Sequence, residues 1–235
     1  MNWSAGKIGT INQRSAHANG LSTPPIGCVL HLLGLPGGGN KIYDRSPYGN
    51  IGTITGATWA RTLGGLWCLD FDGSDDYVED GNINLDYITI EAWIKRSETG
   101  VWHFIVSKGS SWFQGTRTWD LRVNGEDALE FVYSLDGSAY YTTAIGTVGT
   151  DWAYVVATYD GQKARVYLNT SEAVGATHEG TLFQYARNVR IGNSPSPSGF
   201  PFKGLIALPR IYNRALSALE IQNHFNREKH LFGVV

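Results

Sequence analysis

ITIEAWIKR, residues 88–96, alternates along its whole length. Successive side chains of a strand point to opposite faces, so Ile88, Ile90, Ala92 and Ile94 share one side. Thr89, Glu91, Trp93 and Lys95 share the other. Trp93 therefore faces away from the aliphatic row, and both faces of this strand are expected to be covered.

The same kind of segment recurs on either side. CVLHLL (28–33), GLWCLDFDG (65–73), WHFIVSKG (102–109), TWDLRVNG (118–125), ALEFVYSLDG (128–137), AYYTTAI (139–145), WAYVVATYDG (152–161), ARVYLN (164–169) and NVRIGN (188–193) all read as short strands. Turn dipeptides punctuate them: Asp72-Gly73, Asn124-Gly125, Asp136-Gly137 and Asp160-Gly161. Such pairs supply the positive φ that hairpin turns require. One helix is expected over 217–229, where Ser217 and Glu220 form a capping box and Leu219, Ile221 and Phe225 supply the docking residues. Many strands and one terminal helix predict an all-β, antiparallel jelly-roll sandwich.

A sandwich of 235 residues is normally one domain. Residues 1–26 are polar and end in Pro24-Pro25, and they read as an extended arm preceding a domain of residues 27–235. Within the arm Trp3, Ile8, Ile11 and Leu21 are spaced apolar anchors suited to a neighbouring subunit. The formal net charge of −2 lacks the basic footprint of a nucleic-acid binder. No apolar run approaches the ~18 residues of a membrane span, and the first twenty residues have no signal-peptide core. Cys28 and Cys68 sit in apolar runs and read as small buried hydrophobes, with a disulfide between neighbouring strands as the alternative.

Three stretches in order, LDFDGSDDYVE (69–79) with ITIEAWIKRS (88–97), WAYVVATYDGQKARVYLN (152–169) and VRIGNSPSPSGFPFKGLIALPRIYNRALSALEI (189–221), resemble the laminin-G-like jelly-roll domains of the concanavalin A-like lectin/glucanase superfamily. The resemblance runs over roughly residues 27–225. It implies a fold more than an activity, because function on a widely used fold lives in the site.

Residues 68–82, CLDFDGSDDYVEDGN, hold Asp70, Asp72, Asp75, Asp76, Glu79 and Asp80. The resemblance implies a strand, a tight turn at Asp72-Gly73 and a second strand, with Asp75 and Asp76 accepting from free backbone N–H groups. The alternative is a structural calcium held by Asp72, Asp75 and Asp76, an ion that takes about six to eight oxygen ligands. Relatives commonly add an acid from the last strand, in a pattern like G-x-I-D-E-V-R-I-Y. Here GLIALPRIY puts Ala207 and Leu208 at those places, and Pro209 cannot donate to a strand ladder. Glucanases of the superfamily use two glutamates on one strand, which in retaining enzymes stand about 5–5.5 Å apart. Glu126 and Glu130 in NGEDALEF share a parity, but Ala128 lies between them, and Glu126 and Asp127 read as solvated turn residues. No nucleophile elbow, P-loop or histidine metal spacing is present, so the chain reads as a non-enzyme.

Aromatics in polar loops are the candidate ligand contacts: Trp112, Phe113 and Trp119 in SSWFQGTRTWD, Tyr140 and Tyr141 in SLDGSAYYTT, and Phe200 and Phe202 in SPSPSGFPFKG. Such rings stack on sugars while nearby polar groups fix the hydroxyls. The expected function is a non-catalytic surface or attachment protein of a larger assembly, such as a phage virion decoration. A free carbohydrate-binding module is the first alternative and a glycoside hydrolase the second. The expected partners are protein subunits or a surface glycan, at the cell exterior or on a virion surface.

Overall fold

The computed structural model describes residues 25–109, 115–195 and 199–235. The anchors Trp3, Ile8, Ile11 and Leu21 and the loop aromatics Trp112 and Phe113 lie outside these residues. The first eight strands are β1 (Cys28–His31), β2 (Lys41–Tyr43), β3 (Ile51–Thr55), β4 (Thr58–Arg61), β5 (Trp67–Asp72), β6 (Tyr77–Glu79), β7 (Ile88–Arg96) and β8 (His103–Ser107). The next eight are β9 (Trp119–Val123), β10 (Leu129–Tyr133), β11 (Tyr141–Ile145), β12 (Ala153–Tyr159), β13 (Lys163–Leu168), β14 (Ser171–Thr177), β15 (Arg190–Ile191) and β16 (Lys203–Tyr212). Helix α1 (Ala218–Glu228) and a 3₁₀ turn (Lys229–Phe232) close the chain.

Two antiparallel sheets form. The first runs β14-β13-β12-β7-β16-β5-β4, with β1 pairing the C-terminal half of β16, and the second runs β11-β10-β9-β8-β15-β6-β3-β2. As the alternation of 88–96 requires, Ile88, Ile90, Ala92 and Ile94 enter the core between the sheets, against Leu121, Val123 and Phe131 of the second. Trp93 faces outward and is closed over by the C-terminus, its ring stacked on Phe225 at 5.6 Å and Phe232 at 4.2 Å.

The capping box is present at Ser217 and Glu220. Ile221 and Phe225 dock the helix, but Leu219 is 65% exposed: the period of 3.6 residues carries it away from the face that the other two share. A polar layer lies beneath. Arg210 bonds Glu91 and Glu228, and Glu91 also accepts from Tyr212 at 2.7 Å and from Tyr154, with His224 Nδ1 at 3.0 Å.

Three turn dipeptides join hairpin neighbours, β9–β10, β10–β11 and β12–β13. At the first, the positive φ falls on Asp127 (67°), three residues after Asn124. Asp72-Gly73 makes no hairpin: Gly73 has φ 84°, but β5 and β6 belong to different sheets, so the turn is an arch across the sandwich. Pro209 sits where the β16–β7 register shifts between Ala207 and Arg210, and its carbonyl accepts from Leu32 N–H at 3.1 Å. Cys28 and Cys68 are buried free thiols, and burial pushes both up to about 12. No helix among the described residues is long and apolar enough to cross a membrane.

Candidate ligand-binding face

The helix closes the outer face of the first sheet; on that of the second, Phe104, Ser107, Asp120 and Arg122 are buried, while Lys41, Thr53, Tyr77, Glu79 and Arg190 are half-buried. Directly paired residues project to the same side of a sheet, so the register identifies this face. One row runs Lys41–Thr53–Glu79–Arg190–Ser107–Asp120 across six strands. Another runs Phe104–Arg122–Glu130 across β8, β9 and β10.

At the β8–β10 end aromatic rings and a guanidinium stack. Arg122 lies 4.8 Å over Trp102 and 5.5 Å over Phe104, and Phe200 stacks on Phe104 at 5.5 Å. The Glu130 carboxylate accepts from Arg122 Nε at 3.1 Å and from Asn124 Nδ2 at 2.8 Å. Ser107 bonds Asp120, and the buried Lys108 ammonium bonds Asn84. Burial pushes Lys108 down to about 8, because the charged form loses its hydration. Further along, Arg190 lies 4.2 Å over the Tyr77 ring and pairs with Glu79 at 2.9 Å.

The sequence-based aromatic candidates separate in the structure. Phe200 lies on this face. Trp119 and Phe202 do not: Trp119 takes an inward position of β9, and Phe202 packs in the core against Phe71 and His103. Tyr140 is 52% exposed, with Arg117 over its ring at 4.8 Å. Tyr141 turns inward at the sandwich edge and stacks on His178 at 3.8 Å. Trp102, Arg122, Tyr77 and Arg190 were missed as candidates. Their signal was present, since each follows or precedes an inward residue of a strand, but strand parity does not say which sheet the helix covers.

Asp72, Asp75 and Asp76 converge at the arch, each offering an oxygen within 4.8 Å of the others. Asp76 is buried and accepts from Asp72 N–H at 2.8 Å, while Asp72 accepts from Ser74 N–H at 2.7 Å. Burial, together with the neighbouring carboxylates of Asp72, Asp75 and Asp70, pushes the Asp76 carboxyl up, against the bond from Asp72 N–H. An all-oxygen, anionic donor set suits a hard cation such as calcium. Lys203 pairs with Asp72, whereas Ala207 and Leu208 are buried in the layer under the helix. Asp127 is no free turn residue: its carboxylate pairs with the fully buried Arg96 and accepts from Gly100 N–H at 2.8 Å.

A family model described as the concanavalin A-like lectin/glucanases superfamily matches residues 72–222, more than half of the chain. The chain belongs to this superfamily. No curated protein matches it in sequence. Among solved structures it is similar to the binding domain of Paraclostridial Mosquitocidal Protein 1, with a TM-score of 0.67 at 13% identity over 88% of this chain and 55% of that one. It is similar also to the binding domain of botulinum neurotoxin DC in complex with SialylT, with a TM-score of 0.65 at 13% identity over 85% and 51%. A third is botulinum neurotoxin type C, whose cell entry depends on interaction with two ganglioside molecules, with a TM-score of 0.65 at 13% identity over 90% and 52%. The chain thus spans about half the length of these neighbours. At such identity the likeness is one of fold, and it agrees with the jelly roll expected from the strand pattern.

Proposed function

We propose that the chain is a non-catalytic, lectin-like module that binds a surface glycan through the outer face of its second sheet. It would serve attachment within a larger assembly, such as the surface of a phage virion. The observation that carries the binding reading is the asymmetry of the sandwich. One outer face is closed by α1, while on the other guanidinium groups lie over aromatic rings, at Arg190–Tyr77, where both residues are half-exposed, and at Arg122–Trp102, where Arg122 is buried and the Trp102 ring half-exposed. Rings with adjacent charged and amide groups suit a sugar's apolar and hydroxylated sides. The fold neighbours include toxin domains whose partners are a sialylated sugar and gangliosides, which supports the same class of ligand.

A hydrolytic role has less support. Glu130, the one glutamate on this face beside the aromatic stack, is held by Arg122 and Asn124. Retaining chemistry needs a second carboxyl about 5–5.5 Å away, in the superfamily's glucanases on the same strand, whereas Glu126 lies in the turn between β9 and β10. A glycan array with the wild-type chain and Trp102→Ala tests the proposal. Binding that Trp102→Ala weakens supports it, and a blank array sinks it. The attachment role rests on the arm residues Trp3, Ile8, Ile11 and Leu21, and deletion of residues 1–24 tests it through loss of assembly.

A further inference from the structure

Residues 41–53 form the outermost hairpin of the second sheet, β2 and β3 joined by the turn 44–50. Its one acid, Asp44, faces inward and is buried. The Asp44 carboxylate accepts from the N–H groups of His31 and Ser46 at 2.7 Å each and of Asn50 at 3.2 Å. It also accepts from the Ser46 hydroxyl at 2.5 Å and from Asn50 Nδ2 at 2.9 Å. Five donors on one carboxylate brace the turn from within, and they leave no acid on the hairpin's outer surface.

That outer surface is basic and aromatic. Tyr43 is 50% exposed, Tyr48 64% and Ile51 53%, and Arg45 is exposed beside them. Lys41 is half-buried and projects on the same side as Tyr43, since the inward residue between them is Ile42. A chain with a formal net charge of −2 therefore concentrates two cations and two open phenol rings on one braced hairpin. The register Lys41–Thr53–Glu79–Arg190 makes the hairpin continuous with the face described above.

We infer that this hairpin is an anion subsite of the glycan face, taking a sugar that carries a carboxylate or a sulfate. The inference rests on the glycan reading and narrows it to acidic sugars. The ring packs on Tyr43 or Tyr48, and the anionic group meets Lys41 and Arg45. A braced turn has little conformational freedom to lose when the ligand arrives. The acidic arch at Asp72, Asp75 and Asp76 adjoins the opposite end of β6, beyond Tyr77, and repels an anion there. Attraction and repulsion together place the anionic group at the Tyr43 end.

The test measures binding of the full chain to polysialic acid, dextran sulfate, neutral dextran and poly-glutamate at low and moderate salt. The variants are Lys41→Gln with Arg45→Gln, Tyr48→Ala, and Lys163→Gln on the first sheet as a control. The expected result is binding of polysialic acid or dextran sulfate, the two arms separating carboxylate from sulfate, at least about tenfold tighter than dextran. The paired substitution should lower that affinity about tenfold and Tyr48→Ala several-fold, with melting unchanged and Lys163→Gln without effect. Equal binding of dextran, an equal loss in Lys163→Gln, or no loss in the paired variant would overturn the subsite. Poly-glutamate bound as tightly as the acidic sugars would overturn its assignment to sugar. An array positive only for neutral glycans would remove this inference and leave the glycan reading intact, whereas a blank array removes both.

Discussion

The Arg210 guanidinium lies 2.6 Å from the Glu91 carboxylate in a layer that the C-terminal helix closes to water. Glu228 of the helix takes the other side of Arg210 at 2.5 Å and accepts from Trp93 Nε1 at 2.8 Å. The helix is thus docked by charge as well as by Phe225 and Phe232. Removing one partner of a buried pair leaves the other uncompensated, a loss of about 3–5 kcal/mol. Arg210→Met should lower stability by about that much in urea unfolding, and Arg210→Met combined with Glu91→Gln and Glu228→Gln should recover much of it. Burial pushes the Glu91 carboxyl up, but Arg210 and His224 outweigh it and hold the group far below its usual range. A carboxylate depressed in the folded state stabilises above its unfolded value, about 4.3, and that contribution is lost as pH falls further. Acid unfolding should therefore shift to higher pH in Glu91→Gln.

Trp119 and Tyr140 should part company on mutation. Trp119 is 2% exposed and belongs to the core between the sheets. Trp119→Ala should cost about 3–5 kcal/mol by denaturation. Tyr140 stands at the surface, so Tyr140→Ala should stay within about 1 kcal/mol. A large loss in Tyr140→Ala would show that its stacking with Arg117 holds the loop together.

These two residues also show how far the sequence could be read. Alternation within 88–96 correctly sent Ile90 inward and Trp93 outward, because strand parity is a local property. The N-cap at Ser217 was legible for the same reason. Trp119 was misjudged because it stands at a strand end beside a polar loop, where parity has no preceding turn to count from. The arch at Asp72-Gly73 looked like a hairpin, since the dipeptide specifies a positive φ and not which sheet the next strand joins. Arg190 and Tyr77 became a pair only through β15 meeting β6, residues more than a hundred positions apart in the chain.

Lys108 should make stability rise with pH on the alkaline side. Burial lowers its folded-state value from 10.5 to about 8, so the unfolded chain binds more protons between those limits. Its contribution is complete above 10.5 and lost as pH falls to about 8. Lys108→Met removes the buried charge and should flatten the melting temperature between pH 8 and 10.5 while raising it at pH 7. An unchanged slope would mean that the ammonium is better solvated than its burial against Asn84 indicates.

Calcium should be dispensable for folding. Asp72 and Asp76 already accept from backbone N–H groups within the arch, and the last strand, β16, carries no acid. Thermal unfolding with chelator and with millimolar calcium should agree closely. A ligand present at a hundred times its Kd adds about 2.7 kcal/mol, so a rise of several degrees with calcium, lost in Asp76→Asn, would establish the ion as a structural element.

Asp127 is expected to be the most sensitive turn residue of the chain. It is one of three non-glycine residues with positive φ among the described residues, a conformation that Asp and Asn tolerate better than most. The position also fixes a charge. Arg96 projects inward from the end of β7 with no side-chain exposure, and Asp127 is its ion partner. The same carboxylate accepts from Gly100 N–H, tying the loop that carries Trp102. Arg96 and the Gly100 N–H hold the Asp127 carboxyl below its usual range. Asp127→Asn keeps the backbone conformation and removes the charge, so its effect isolates the pair. It should destabilise by about 3 kcal/mol or more, as expected when a buried cation loses its partner. Asp127→Gly relieves the backbone and should be no milder, because Arg96 is left equally uncompensated. Arg96→Met with Asp127→Asn should recover stability in urea unfolding yet leave the Trp102 loop loosened, seen as faster exchange of the Gly100 amide. Equal stability of Asp127→Asn and wild type would show that Arg96 is solvated in spite of its burial.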